Sequence, residues 1–481
     1  HLRDGGHVVR DHVRFDRRRF LQAAGLLAAG GVAAGCGGGE SGAGRPAAPP
    51  TGAAPPGTFT EPRSPLSGAL SILMWSHFVP AHDTWFDPWV KDWGSRVGVN
   101  VTVDHINYAE LPARTQAEIQ ARQGHDLILH IAPVPQYEPS VLDLTDVVTE
   151  ASNRHGEQLD LCRRSSYNPT TRTFFAYSPA WVPDPGDYRR SLWAPVGLAD
   201  GPGTWDDLLR GGAEIKRAQG VQLGVGMSQE IDSNMAGRAL LWSFGASIQD
   251  VNEQVVINSP QAVEAVDFMA RLYREAMTPE VFSWNAASNN QGLAAGQLSY
   301  ILNSISAWRT SQETDPEVAD DIYFTSALRG PADARAASHV MYNWIIPNYA
   351  ANPAAAKEFL LHYTDNLDVV AWNSRLYDFP AYADVVPDLG KWLQNDPFGA
   401  RPPEKLALLA NATDWSTNIG YPGTANTAEG EVFATFVIPN MFARAARGEV
   451  TPQQAVADAE AQIRPIFDQW RSRGLIGSGG S

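Results

Sequence analysis

Between residues 68 and 131 the chain alternates short apolar runs with longer stretches of helical periodicity. That alternation narrows the fold more than any other feature. Residues 70–75, Leu-Ser-Ile-Leu-Met-Trp, form an apolar run bounded by turn signals and predict a strand. Over 84–96, Trp85, Trp89 and Trp93 recur at i, i+4 and i+8, the spacing of one helical face. Residues 99–103, Val-Asn-Val-Thr-Val, alternate and are β-branched, which predicts a second strand. A helix over 111–123 follows, then a nearly continuous apolar strand over 126–131, the pattern of a buried parallel sheet. Strand, helix, strand, helix, strand is the opening of an α/β domain. Ligands of such sheets sit beyond the carboxyl ends of the strands, so loops 76–82 and 132–138 come first.

A second unit is predicted from about residue 184. Thr204 stands as an N-cap with Asp207 three residues on, a capping box with Asp in place of Glu or Gln. A strand is expected over 223–227, with helices over 235–244, 260–276, 425–447 and 452–470, the last with Pro452 in its first turn. A length of 481 residues suits two or three domains, and 44% hydrophobic with 19% charged residues is ordinary for a globular chain. The formal charge of −16 argues against a nucleic-acid binder. Beyond residue 67 no run of 18 apolar residues predicts a membrane span.

The head of the chain has the opposite charge. Arg17 and Arg18 precede Phe20 and Leu21, then a short weakly apolar stretch, then Ala33-Ala34-Gly35-Cys36. Basic, apolar and small residues in that order make a secretory signal, here with a twin-arginine motif. Residues 1–36 are therefore expected to be a signal peptide and lipobox, with Cys36 the lipidated residue of an extracytoplasmic protein. The lipobox is imperfect, with Ala33 where an aliphatic residue is usual. Residues 37–66 are Gly, Ser, Ala and Pro with few large apolar side chains, and are expected to form a flexible linker. With Cys36 lipidated, Cys162 has no partner and reads as a small buried residue.

No catalytic signature stands out. Gly-x-Ser-x-Gly, His-Glu-x-x-His, Cys-x-x-Cys and a Walker loop are all missing, and Gly224-Val225-Gly226 lacks the third glycine of a dinucleotide fingerprint. His77, His82, His105, His125 and His130 crowd one region, but His77 and His82 stand five apart, which does not stack on one helical face. Neither a metal site nor a cofactor is expected. The fifteen tryptophans are more suggestive. Flat rings stack on sugar C–H faces, and neighbouring amides, carboxylates and hydroxyls bond sugar hydroxyls. Loop stretches combining both types are Trp75 to Phe78, Gln136-Tyr137, Trp284-Asn285, Trp308-Arg309, Tyr342-Asn343-Trp344, Trp372-Asn373 and Asp414-Trp415. Trp85, Trp89 and Trp93 read as helix-face or core residues instead.

Several ordered stretches resemble a family. They are Thr204-Trp205-Asp206-Asp207-Leu208-Leu209, Leu241-Trp242-Ser243-Phe244-Gly245-Ala246, Ala294 to Tyr300 with Asn303, Tyr421-Pro422-Gly423, and Ala446 to Ala455. Their order over residues 68–472 resembles the substrate-binding proteins of bacterial ABC importers, in the sugar-binding group that includes maltose-binding protein. Gly296-Gln297-Leu298 departs from the Gly-Lys-Ala-Ala-Met usual there. The resemblance implies an α/β, two-lobed periplasmic-binding-protein fold with an inter-lobe cleft and hinge. Lobe 1 is expected at 67–183 and 340–384, lobe 2 at 184–339 and 385–475. It implies a monomer, non-catalytic, that captures a mono- or oligosaccharide and delivers it to ABC permease subunits from the outer face of the cytoplasmic membrane. It places ligand contacts at Ser76, His77, Phe78, Gln136, Tyr137, Asn303, Trp308, Tyr342, Asn343, Trp344 and Tyr421, and the pairing of rings with polar neighbours adds Trp284 and Asp414. Glycerol phosphodiesters, other polar solutes or a metal are alternative ligands, and a secreted carbohydrate-active enzyme is the rival of another class. Arg309 or Arg375 in the cleft would favour an anionic ligand.

Overall fold

The computed structural model describes residues 50–477. The twin-arginine head, Cys36 and the first part of the linker lie outside the described residues.

The first lobe opens with β1 (Gly68–Trp75), α1 (Ala81–Val97), β2 (Val99–Ile106), α2 (Leu111–Ala121) and β3 (Leu127–His130), followed by α3 (Thr145–His155). β1 runs parallel to β2, from Gly68 opposite Val99 to Trp75 opposite Ile106, and parallel to β3 on its other side. Position in the sheet explains the sequence patterns. β3 is buried throughout and continuously apolar, whereas β2 is an edge strand that buries Val99 and Val101 and exposes Asn100 and Thr102. α1 turns Phe86, Val90 and Trp93 inward. Trp85 and Trp89 stack along its flank at 4.9 Å, and Trp89 continues onto His362, also at 4.9 Å.

The chain then passes through β4 (Ala180–Val182), β5 (Gly186–Arg189), α4 (Trp205–Gln219), β6 (Gln222–Gly224), α5 (Ile231–Ser243), α6 (Pro260–Ala276), β7 (Leu298–Leu302), α7 (Ser306–Thr314) and β8 (Ile322–Thr325). The second sheet has the order β8-β5-β7-β6, with β6 and β7 parallel and β5 antiparallel to both its neighbours. Thr204 caps α4 by accepting the Asp207 amide at 2.9 Å, and Ser259 caps α6 with Pro260 in the first turn. Every residue of α5 is buried.

After β8 come β9 (Val340–Met341), β10 (Asn343–Ile345), α8 (Pro353–Asp365), α9 (Leu367–Asn373) and β11 (Phe379–Pro380). β10 joins the first sheet antiparallel to β3, with Trp344 opposite Leu129. β9 and β11 flank β4, both antiparallel, in a three-stranded sheet. β4 leads directly into β5, and β9 directly into β10, so this small sheet lies where the chain passes between the two larger ones.

The tail forms α10 (Thr427–Ala434), α11 (Val437–Ala446) and α12 (Pro452–Ser472), whose Phe442, Phe467 and Trp470 join the core of the second sheet. The single helix expected over 425–447 is two. Phe436 between them takes a left-handed φ of 55°, costing about 1–2 kcal/mol for a residue with a Cβ, while apolar spacing continues across the break and hides it. Cys162 is buried and has no disulfide partner among the described residues.

Candidate functional site

The N-terminus of α5 gathers a buried polar cluster. Glu230 is its N-cap: its carboxylate accepts the Asp232 amide at 2.6 Å and the Ser233 amide at 2.5 Å, and also takes the Ser233 hydroxyl. Gly226 makes the turn possible, because a Cβ there would meet Ser233 Oγ at 2.6 Å and Glu230 Oε1 at 2.9 Å. Asp232 accepts from the Asn289 side chain at 2.8 Å. His339, just before β9, places Nδ1 3.0 Å from Asp184 Oδ1 and 3.8 Å from Asp232 Oδ1. Asn303, at the end of β7, bonds Asn290, which in turn donates to Ser306 Oγ at 3.2 Å.

Three carboxylates thus lie close together with an imidazole as their near counter-group. Burial, reinforced by Glu230 and Asp184, raises Asp232 well above the usual carboxylate range. Burial raises Glu230 too, against the pull of its Ser233 and backbone donors. Among the described residues Asp187 has no hydrogen-bond partner on either oxygen, and burial beside Asp184 pushes it well above its ordinary value.

Aromatic rings surround this cluster. Trp284 is half-buried, packs against the cores of both sheets, and lines a narrow pocket with Gly226, Glu230, Asp232 and Asn289. Its carbonyl accepts the Ser228 hydroxyl at 2.8 Å. The Phe78 ring lies 6.5 Å from His339. Tyr108, after β2, has its phenol pushed above the ordinary value by burial and by the nearby Glu230 and Asp232. Larger hollows exist, of about 490 Å³ beside Glu138 and Arg473 and about 570 Å³ beside Trp205 and Arg271. Neither combines buried carboxylates with free aromatic faces.

The expected contact residues divide. Phe78, Trp284, Asn303 and Tyr342 stand in or beside the buried network. The Tyr342 hydroxyl donates to Asp378 at 2.7 Å and meets His77 Nε2 at 3.2 Å. Gln136 is half-buried and meets α10: a Cβ on Gly430 would lie 2.5 Å from Gln136 Oε1 and 2.9 Å from the Pro135 ring. Ser76 is exposed and continues the β1–β2 ladder through its amide. Tyr137 is buried and donates to the Pro112 carbonyl, a scaffold contact. Asn343 is buried in β10, its amide on Ser178 Oγ at 3.1 Å.

Two assignments, Trp344 and Trp308, need correction, and Tyr421 and Asp414 make no bond to the cluster among the described residues. Trp344 is fully enclosed between Phe359 and Tyr363 of α8, since its position in β10 points it into the core. Trp308 is enclosed by Phe324, 5.5 Å away edge-on, and by Arg309 against its ring. Tyr421 has Arg335 over its ring at 4.9 Å and Trp242 at its edge, so a face is already covered. Asp414 is exposed at the end of the turn Ala407–Asp414 and has no bond to the cluster among the described residues. His77 and His82 are not scattered either. His77 precedes α1 and His82 lies inside it, so helical spacing does not govern the pair, and their rings stack at 4.2 Å.

Tyr108, Asp184, Asp187, Glu230, Asp232, Asn289, His339 and Asp378 were not expected from the sequence. The one local signal was Gly224-Val225-Gly226 leading to a helix start. It reads as noise against a dinucleotide motif, and here it forms the turn that lets Glu230 cap α5.

A model of the bacterial extracellular solute-binding proteins matches residues 80–366, more than half of the chain. The chain belongs to that family. This solute-binding protein is also similar to a probable ABC transporter-binding protein of Deinococcus radiodurans, 24% identical over 193 residues. The match covers 38% of this chain and 46% of that relative, so it spans about half of the relative's length. Among solved structures it resembles a Synechococcus sp. MITs9220 protein described as an oligosaccharide periplasmic-binding protein, in complex with zinc. The TM-score is 0.70 at 18% identity, over 84% of this chain and 100% of that one. Maltose-bound MalE3 of T. maritima gives 0.68 at 18%, over 83% and 100%. A sugar transporter component of Arthrobacter chlorophenolicus A6 with bound laminaribiose gives 0.68 at 16%, over 83% and 99%. At these identities the likeness establishes the fold, two α/β lobes of the periplasmic-binding type. Among the described residues no helix of this solute-binding protein is long and apolar enough to cross a membrane.

Proposed function

We propose that this protein captures a mono- or oligosaccharide outside the cytoplasmic membrane and hands it unchanged to an ABC permease. The observation that carries the reading is the buried set Asp184, Glu230, Asp232, Asn289 and His339 ringed by Phe78, Tyr108 and Trp284. Carboxylates, amides and an imidazole bond hydroxyls in both directions, and half-covered rings offer faces to C–H groups. The maltose and laminaribiose in the similar structures agree with this chemistry.

Anionic solutes fit less well. Arg309 is committed to Asp396 in a bidentate pair, and Arg375 to Glu313 at 2.5 Å. Carboxylates at the cluster would repel a phosphodiester. A glycosidase fits less well too, because one acid must be free to donate a proton. Glu230 instead has both oxygens occupied by donors of its own helix start, and Asp187, whose oxygens have no partner among the described residues, is shut off from solvent.

The lobes are taken as 67–183 with 340–384 and 184–339 with 385–475, hinged at the β9-β4-β11 sheet. Closure about a few crossing segments is the usual motion of such proteins. A lipid on Cys36 and a monomeric state complete the reading. A thermal-shift screen with mono- and oligosaccharides, glycerol phosphodiesters and divalent metals tests it. A shift with a saccharide, without turnover, and absent in Asp232→Asn is the expected result. Turnover, or a shift confined to phosphodiesters, would overturn it.

A further inference from the structure

His77, His82 and Asp378 come from three separate places: the turn after β1, the first turn of α1, and the residue before β11. All three are buried, and one ligand-type atom from each lies within 4.8 Å of the other two. His77 Nε2 is 3.5 Å from Asp378 Oδ2. The two rings stack with an interplanar angle of 16°.

One hydrogen bond touches the facing atoms, His77 Nε2 to the Tyr342 hydroxyl at 3.2 Å, and an ion would displace it. Among the described residues, Asp378 Oδ2 and His82 Nε2 are buried with no hydrogen-bond partner. Each residue's other polar atom is held in place from behind. His82 Nδ1 faces Asp83 Oδ1 at 3.2 Å, and Asp83 Oδ2 also takes the His77 amide at 2.9 Å. Asp378 Oδ1 accepts the Tyr342 hydroxyl. His77 Nδ1 meets the Val79 amide at 2.9 Å and the Val79 carbonyl at 3.1 Å, so either tautomer is satisfied there. A carboxylate or carbonyl behind a ligating imidazole is the usual support of a metal site, fixing ring orientation and leaving the other nitrogen free. Trp75, Phe86 and Tyr377 wall the group with aromatic rings.

We propose that His77 Nε2, His82 Nε2 and Asp378 Oδ2 form a binding site for a divalent transition-metal ion of the zinc class. Two imidazoles and one carboxylate suit such an ion better than calcium or magnesium, which take all-oxygen sets. Bond lengths of about 2.0–2.2 Å would draw the three atoms together by roughly an ångström and leave a fourth position for water. The ion would tie the β1–α1 turn to the segment that enters β11 in the small three-stranded sheet.

The test uses the full chain, stripped with a chelator and titrated with Zn²⁺ by calorimetry. One equivalent is expected to bind and raise the melting temperature. His82→Gln and Asp378→Asn should each weaken binding at least about tenfold. His155→Gln, whose ring bonds Asp365 elsewhere at 2.7 Å, should leave it unchanged. X-ray absorption on the zinc-loaded unaltered chain should give two imidazole nitrogens with oxygen completing the shell, and decides the matter if the variants fail to fold. Full-strength binding in both variants, no binding by the stripped chain, or a shell with fewer than two imidazoles would overturn the site.

Discussion

Arg309 and Asp396 close on each other as a two-pronged pair, Nη2 to Oδ1 at 2.7 Å and Nη1 to Oδ2 at 3.0 Å, with both side chains shut off from solvent. Removing one partner of such a pair strands a buried charge. Asp396→Ala is expected to destabilise by about 3–5 kcal/mol, whereas Arg309→Met with Asp396→Leu should recover much of that loss. Urea denaturation of the two variants checks this, and equal losses in both would contradict it.

Enclosed and half-exposed tryptophans should behave oppositely. Trp344→Ala empties space between Phe359 and Tyr363 and should lower stability by about 3–5 kcal/mol without ligand. Trp284→Ala should cost much less stability and remove about 2 kcal/mol or more of saccharide affinity. Melting curves with and without ligand separate the two, and a Trp284→Ala chain that keeps full affinity would remove that ring from the site.

Two buried groups bend the pH profile of stability in opposite directions. Burial holds the His130 pKa down at about 3, with Thr115 Oγ1 at 3.0 Å from its Nε2. The folded chain keeps that ring neutral while the unfolded chain takes up a proton below about pH 6.5, so stability falls with acidification from there towards pH 3. The slope for one proton is about 1.4 kcal/mol per pH unit, and His130→Gln should remove it. Burial raises Glu429 to about 7 despite its Arg238 partner. The folded chain retains that proton, so this contribution is full below about pH 4.5 and lost as pH rises through about 7; Glu429→Gln should abolish that loss. Urea midpoints between pH 4 and 8 measure both effects.

Glu230 joins helix stability to the cluster geometry. Glu230→Ala removes three acceptor contacts at the start of α5 and should cost about 0.5–2 kcal/mol. It should also loosen Asp232 and weaken binding. Asp232→Asn should weaken binding with little loss of stability, since burial already opposes its charge. Equal effects of the two on stability would argue against this division.

The legible parts were those encoded locally. β1, α1 and β2 emerge from a change of period within forty residues, and α6 from Ser259 and Pro260 at its start. Phe436 breaks a helix by backbone torsion alone, which apolar spacing does not record. Trp344 beside Asn343 has the same local text as a loop aromatic beside an amide, and only the pairing of β10 with β3 reveals that it points inward. The cluster itself depends on remote pairs. Asp184 and His339 meet across 155 positions, and His77 and Tyr342 across 265. No window along the chain contains either pair, so their partnership follows from topology alone.

On the proposed lobe bounds, Gly430 gauges how tightly the two lobes can shut. Helix α10 rests against Pro135 and Gln136 with only a hydrogen's clearance at that position. A single methyl in Gly430→Ala would act as a wedge, touching no sugar yet tilting the balance of shapes towards the open one. Apparent affinity falls in proportion to the fraction of molecules able to close, so saccharide should bind more weakly while every contact within the closed form stays the same.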